Sequence, residues 1–137
     1  MNNFNLNIMT PERMFFSGKA KGLIITAPDG ELCILAGHIP LVAPIVIGVL
    51  KINLNGEWKS AFCSEGFIEV LHNSVTVFVQ ACEWPEEIDI VRARRSLERA
   101  REHLRQKQSV KEYKESKIAL SRAMARLRIT RQNINSD

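Results

Sequence analysis

No stretch of this 137-residue chain approaches the ~18 consecutive apolar residues that a membrane-spanning helix needs. Its longest apolar run, Ile39 to Leu50, is interrupted by Pro40, Pro44 and Gly48. Met1 to Asn7 alternates Asn with apolar residues and has no basic segment of the kind that opens a signal peptide, which points to a cytoplasmic protein. Cysteine is scarce: Cys33, Cys63 and Cys82 are odd in number and stand thirty and nineteen residues apart, which fits neither a disulfide framework nor a zinc motif. All three are expected to be buried thiols. Catalytic signatures are missing too. There is no Gly-rich phosphate loop, no nucleophile elbow with a Ser-His-Asp order, and no metal-ligand spacing. His38, His72 and His103 lie far apart and read as turn or surface residues, with His38 shaping the loop between Gly37 and Ile39-Pro40.

Two textures are present. Up to Trp84, short runs rich in Val, Ile and Phe alternate with turn signals, as in an antiparallel sandwich or barrel. Phe4, Leu6 and Ile8 point one way and Asn5, Asn7 and Met9 the other; further strands are expected at 23–27, 32–35, 46–54, 59–63, 67–71 and 75–80. Pro28-Asp29-Gly30 marks a turn and Asn55-Gly56 a two-residue hairpin. From Pro85 the period becomes helical, with Glu86 and Glu87 placed where a helix N-terminus favours negative charge. Ile90, Ala93, Leu97, Ala100 and Leu104 trace one thin apolar stripe. Ser109 and Glu112 form a capping box ahead of a second, carrying Leu120, Ala123, Met124 and Leu127. The expected architecture is therefore β followed by α: an N-terminal antiparallel β-sandwich over residues 1–84 and a C-terminal antiparallel helical hairpin over 85–137.

Charge divides at the same place. Residues 1–84 hold five Lys/Arg against seven Asp/Glu, and residues 85–137 hold fourteen against eight. A basic tail on a mildly acidic body points to an anionic partner. On a 3.6-residue helix Arg92 and Arg99 share one face and Arg122 and Arg126 are one turn apart. Each pair is offset from its apolar stripe in the same rotational sense, so antiparallel packing about a turn near Ser109 would bring all four guanidinium groups to one groove, suited to a polyphosphate. The bland alternative is a solvated basic face interleaved with carboxylates such as Glu98 and Glu102, with Asp89 serving only as a helix cap. Two other classes are open. A nucleic-acid-binding module would use the basic helices, but the helical part offers only Tyr113 for base stacking. A small catalytic β-domain lacks a nucleophile and a base.

The segment Gly30-Glu31-Leu32-Cys33-Ile34-Leu35-Ala36-Gly37-His38-Ile39-Pro40-Leu41-Val42 resembles the epsilon subunit of bacterial F-type ATP synthases, whose pattern here is GELGILPGH followed by a small or apolar residue and PL. Further matching stretches are Ser64 to Val70, Val75 to Val77 and Ala119 to Leu127, in the family's order and spanning nearly the whole chain. Cys33 stands for the usual Gly, Ala36 for the usual Pro, and Glu65 where Gly is common. The resemblance implies a non-catalytic subunit, peripheral on the cytoplasmic face of the cell membrane and without a role for nucleic acid. Its sandwich would join the gamma subunit and the membrane rotor ring. Its helices would extend into the alpha/beta catalytic head and inhibit ATP hydrolysis. Ile88-Asp89-Ile90-Val91-Arg92-Ala93 is similar to the I/L-D-x-x-R-A motif of members that bind regulatory ATP. By that likeness Glu83, Ile88, Asp89 and Ala93 would surround adenine and ribose, and Arg92, Arg99, Arg122 and Arg126 the phosphates. No catalytic cofactor and no metal site are implied.

Overall fold

Alternating inward Val, Ile and Leu side chains need a second apolar layer to cover them, and the chain supplies it from its own strands. The computed structural model describes residues 2–106 and 109–135. The chain divides into two compact units, Met1–Trp84 and Pro85–Asp137. Ten strands make up the first: β1 Phe4–Met9, β2 Met14–Ala20, β3 Gly22–Ala27, β4 Gly30–Leu35, β5 Leu41–Ile45, β6 Gly48–Leu54, β7 Glu57–Cys63, β8 Gly66–Leu71, β9 Ser74–Val79 and β10 Cys82–Glu83. They form two five-stranded sheets, ordered β2-β1-β9-β8-β5 and β10-β7-β6-β3-β4. Leu6 and Ile8 of β1, Leu23 and Ile25 of β3, Leu50 and Ile52 of β6, Ile68 of β8 and Val77 of β9 are fully enclosed in one core shared by both sheets. Each such side chain contributes about 1.5–3 kcal/mol when fully buried, so the sandwich core is substantial.

The strand pairing is antiparallel except between β1 and β9, which run parallel with Leu6 opposite Val75. β2, β5 and β10, absent from the expected set, are edge strands. β2 turns only Phe15 and Ala20 inward, so its alternation is faint. β5 contains Pro44, whose missing N–H is tolerated because β5 pairs on one side only, with β8. β10 is two residues long. Asn55 (φ 57°) and Gly56 (φ 91°) make the expected tight hairpin, and Asn53 Oδ1 accepts from Gly56 N–H at 2.8 Å. Cys33 is a correction: it is exposed. β4 is an edge strand whose inward position is Ile34, so period two turns its neighbour Cys33 outward.

The second unit holds α1, Ile90–Arg105, and α2, Val110–Asn135, packed together as a hairpin. Lys107 and Gln108 of the expected turn, like Met1, Ser136 and Asp137, lie outside the described residues. The α-helix begins at Ile90 rather than at Pro85, because Pro85–Glu87 forms a separate 3-10 turn and Asp89 supplies the cap. The stripe of α2 also needs correction. Met124 is exposed, and the buried positions are Ser116, Ala123, Ala125, Ile129 and Thr130.

Among the glycines of the sandwich, Gly66, at the start of β8, marks the tightest backbone approach. A Cβ there would collide with the Phe78 carbonyl oxygen and stand 2.7 Å from Val79 Cα, both backbone atoms of the paired strand. Neither can yield without separating β8 from β9. Gly66→Ala is expected to lower stability by about 3 kcal/mol or more, against a few tenths for Gly18→Ala, whose new methyl would meet only the Phe16 ring at 3.4 Å. Urea denaturation followed by tryptophan fluorescence measures both. Equal midpoints for the two variants would contradict the close approach.

Candidate functional site

The hairpin seam is built from small residues. Ala93 and Ala100 are the buried positions of α1, and Ser116, Ala123 and Thr130 recur at helical spacing among the buried positions of α2. Leu97, Leu104, Leu120 and Leu127 flank them only half-buried. One polar group of the seam is satisfied within its own helix: Thr130 Oγ1 donates to the Arg126 carbonyl at 2.8 Å. Helix ends are fixed by side chains. Asp89 Oδ1 accepts from Arg92 N–H at 3.0 Å, and the Asp89 carbonyl accepts from Ala93 N–H at 2.9 Å. Ser109 Oγ accepts from Glu112 N–H at 3.2 Å, the donor side of the expected capping box.

A shallow cleft of about 400 Å³ runs beside this seam, lined by Ser96, Arg99, Ala100 and His103 of α1 and by Glu112, Glu115, Ser116 and Ala119 of α2. Ser96, Arg99 and His103 lie at i, i+3 and i+7, so they share one flank of α1, the flank that Arg92 continues one to two turns nearer Asp89. On α2 the cleft follows Glu112, Glu115 and Ala119, and Arg122 and Arg126 continue that row at steps of three and four. Arg92 and Arg99 are exposed; Arg122 and Arg126 are half-buried, with Arg122 Nε withdrawn from solvent. Ile88 and Ala93 are buried and Asp89 is exposed at its cap. The structure thus brings Asp89, Arg92 and Ala93 together at one helix start and sets Arg99 in a groove shared with α2. Glu83 lies in the other unit, half-buried on β10 opposite Phe62.

Glu112, expected as part of a capping box, and His103, expected as a turn or surface residue, line the cleft, as does Glu115, for which the sequence carried no expectation. Their signal was available: 112, 115 and 119 fall on the same side of α2 as Arg122. The sandwich has an overlooked surface as well. Val42 on β5 and Phe67 and Leu71 on β8 are exposed at 69%, 45% and 51%, and Phe67 stacks on Phe78 of β9 with centroids 5.0 Å apart. These positions are out of phase with buried Ile68 and Val77, which makes them an apolar patch on the outer face of one sheet. Among the described residues no helix is long and apolar enough to cross a membrane, and no group of three His, Cys, Asp or Glu is placed to hold a metal ion.

Comparison with known proteins resolves both units. Residues 3–85 match the family described as ATP synthase, Delta/Epsilon chain, beta-sandwich domain, and residues 86–131 match its long alpha-helix domain. The chain belongs to the ATP synthase delta/epsilon family. Among similar relatives, the ATP synthase epsilon chain of Caldanaerobacter subterraneus is 49% identical over 127 residues, covering 92% of each chain. That of Caldicellulosiruptor saccharolyticus is 43% identical over 137 residues and the full length of both. The fold is shared with a chain of the Euglena gracilis mitochondrial ATP synthase, at TM-score 0.76 and 24% identity over 88% of this chain and 76% of that one. As an epsilon-chain homologue the protein is a non-catalytic subunit.

The cap at Asp89 is the first structural element of the epsilon hairpin. Without ligand, Asp89→Ala is expected to cost about 1 kcal/mol and lower helical content, and Asp89→Asn to cost little, because an amide oxygen can still accept from Arg92 N–H. Thermal unfolding followed at 222 nm distinguishes them. Identical curves for the two variants would remove the cap from the account.

Proposed function

We propose that this epsilon chain couples the central stalk of an F-type ATP synthase to its membrane rotor ring through the sandwich, and restrains ATP hydrolysis through the hairpin. The single observation that carries this reading is the match of both units, in order, to the two domains of the family. The gamma subunit and the ring subunits are the partners of the sandwich. Its outer apolar patch of Val42, Phe67, Leu71 and Phe78 offers the kind of surface that a permanent partner covers. The alpha/beta catalytic head is the partner of the extended helices. Seven Lys/Arg against two Asp/Glu between Lys111 and Gln132 suit an acidic segment of that head.

ATP is the regulatory ligand in this reading. Ile88, Asp89 and Ala93 would receive adenine and ribose, and Arg92, Arg99, Arg122 and Arg126 the phosphates; Glu83 enters from the resemblance alone. An extended pair of helices would separate Arg92 and Arg99 from Arg122 and Arg126, so nucleotide would bind the folded hairpin and oppose inhibition. At a hundredfold excess over Kd such a ligand stabilises by about 2.7 kcal/mol, enough to dominate a helix pair with so thin a seam.

Truncation after Trp84 is expected to leave the sandwich able to enter the assembled enzyme while raising its ATP hydrolysis severalfold, and replacing Arg122, Arg126 and Arg128 with Ala to give part of that rise. Unchanged hydrolysis in the truncated assembly would dispose of the inhibitory role. Separately, calorimetric titration of the full chain with ATP is expected to give saturable heat that Asp89→Ala or Arg92→Ala weakens at least tenfold. Arg94→Ala, about 200° around the helix from Arg92, should bind as the unmodified chain does. Absence of heat at millimolar ATP would leave the arginines as a basic face for the catalytic head.

A further inference from the structure

Two of the three thiols face each other. Cys63 ends β7 and Cys82 begins β10, and the register of the two strands sets them directly opposite. The next pair, Ser64 and Ala81, carries the hydrogen bond: Ser64 N–H donates to the Ala81 carbonyl at 2.9 Å, and Ala81 N–H to Ser64 Oγ at 2.6 Å. Hydrogen-bonded and non-hydrogen-bonded pairs alternate along an antiparallel ladder, so Cys63 and Cys82 occupy a non-hydrogen-bonded pair, where Cα atoms stand about 4.5 Å apart. That separation lies inside the range of about 4.4–6.8 Å that a disulfide spans. Both residues are enclosed, at 1% and 2% exposure, and neither is bridged. A hydrogen bond to the Cys63 thiol, followed by burial, holds the Cys82 thiol well above the usual cysteine range.

We propose that Cys63 and Cys82 are an oxidisable pair that closes into a cross-strand disulfide and fastens β10, the last strand of the sandwich, to β7. The place gives the bond its effect. β10 is two residues long, pairs with β7 alone, and leads through Trp84 to the Pro85 turn. Side chains of the β1–β2 region also touch it: Arg13 Nη2 donates to the Cys82 carbonyl at 3.0 Å, and the Phe15 ring meets Trp84 at 4.6 Å. So short an edge strand opens locally far more readily than the core unfolds. Opening exposes both thiols and returns Cys82 to an ordinary acidity.

The oxidant is an organic disulfide. One cysteine thiolate attacks it, forming a mixed disulfide and releasing one small thiolate. The other cysteine thiolate then attacks the protein sulfur of that mixed bond, releasing the second. Two S–H groups are oxidised, one S–S bond is reduced, and the two protons end on the released thiols.

The test is incubation of the full chain with excess oxidised glutathione at mildly alkaline pH, well below the unfolding midpoint. Intact mass, denatured thiol titration and peptide mapping are read, with Cys33→Ser in parallel because Cys33 is exposed and unpaired with the other two. The expected product of Cys33→Ser has lost about two mass units relative to its reduced form, with titratable thiols falling from two to none, and the unmodified chain gains the same bridge with any glutathione adduct confined to exposed Cys33. A single linked peptide should join residues 63 and 82, and the melting midpoint should rise by on the order of 5–10 °C. Cys82→Ser should halt at the mixed disulfide. Stable glutathione adducts on Cys63 or Cys82 of the unmodified chain, linkage through Cys33, or unreacted Cys63 and Cys82 after prolonged incubation would each overturn the proposal, and Cys33→Ser decides it even if Cys82→Ser does not fold.

Discussion

The seam between α1 and α2 limits everything the hairpin can do. Ala93, Ala100, Ser116 and Ala123 let the two helices approach closely, but a methyl or hydroxymethyl group buries little apolar area, and the neighbouring leucines stay half-exposed. At about 25 cal/mol per Å² such a seam stabilises far less than the sandwich core, with its fully enclosed Leu, Ile and Val. Helices of this kind depend on their caps, Asp89 and Ser109, and on whatever occupies the flanking groove. A domain held so lightly is suited to switching, because a ligand or an acidic surface needs only a few kcal/mol to shift its equilibrium.

The two units therefore divide the work by their energetics. The sandwich has deep burial, close backbone approach at Gly66 and an outer apolar patch, all features of a part that stays assembled. The hairpin has weak internal packing, a basic flank and a cleft lined by Arg99 and His103 on one helix and by Glu112 and Glu115 on the other. Mixed charge along that cleft matters for specificity. A polyphosphate drawn to Arg92, Arg99, Arg122 and Arg126 would meet carboxylates toward the helix turn, which would confine it to the end near Asp89.

Sandwich and hairpin were legible because both depend on periodicity. Phe4, Leu6 and Ile8, or Ala93 and Ala100, announce their inward faces, and Asn55-Gly56 announces its turn. The edge strands were not legible, since β2 and β5 bury one face weakly and β10 is too short to show a period at all. Cys33 was misplaced because average burial of cysteine overrode the phase set by Ile34. Met124 was misplaced because apolar character was taken for inward direction when Ala123 already held the seam. Of the site, the arginine rows and the Asp89 cap could be read from helical spacing. The cleft acids share the Arg122 side of α2 by the same spacing, but a capping Glu and a groove Glu look alike until the partner helix is in place.

The parallel pairing of β1 with β9 governs the order in which the molecule can be made. β1 lies between β2 and β9 in its sheet, so it waits some seventy residues for the neighbour that completes its hydrogen-bond ladder. Such non-local pairing slows folding, and a half-made sandwich exposes an unsatisfied edge on β1. The hairpin has the opposite character, with its contacts close in sequence. On the ribosome the β-domain is the slow, aggregation-exposed step, and it can close only after Val79 has emerged, ahead of the helical segment that follows it.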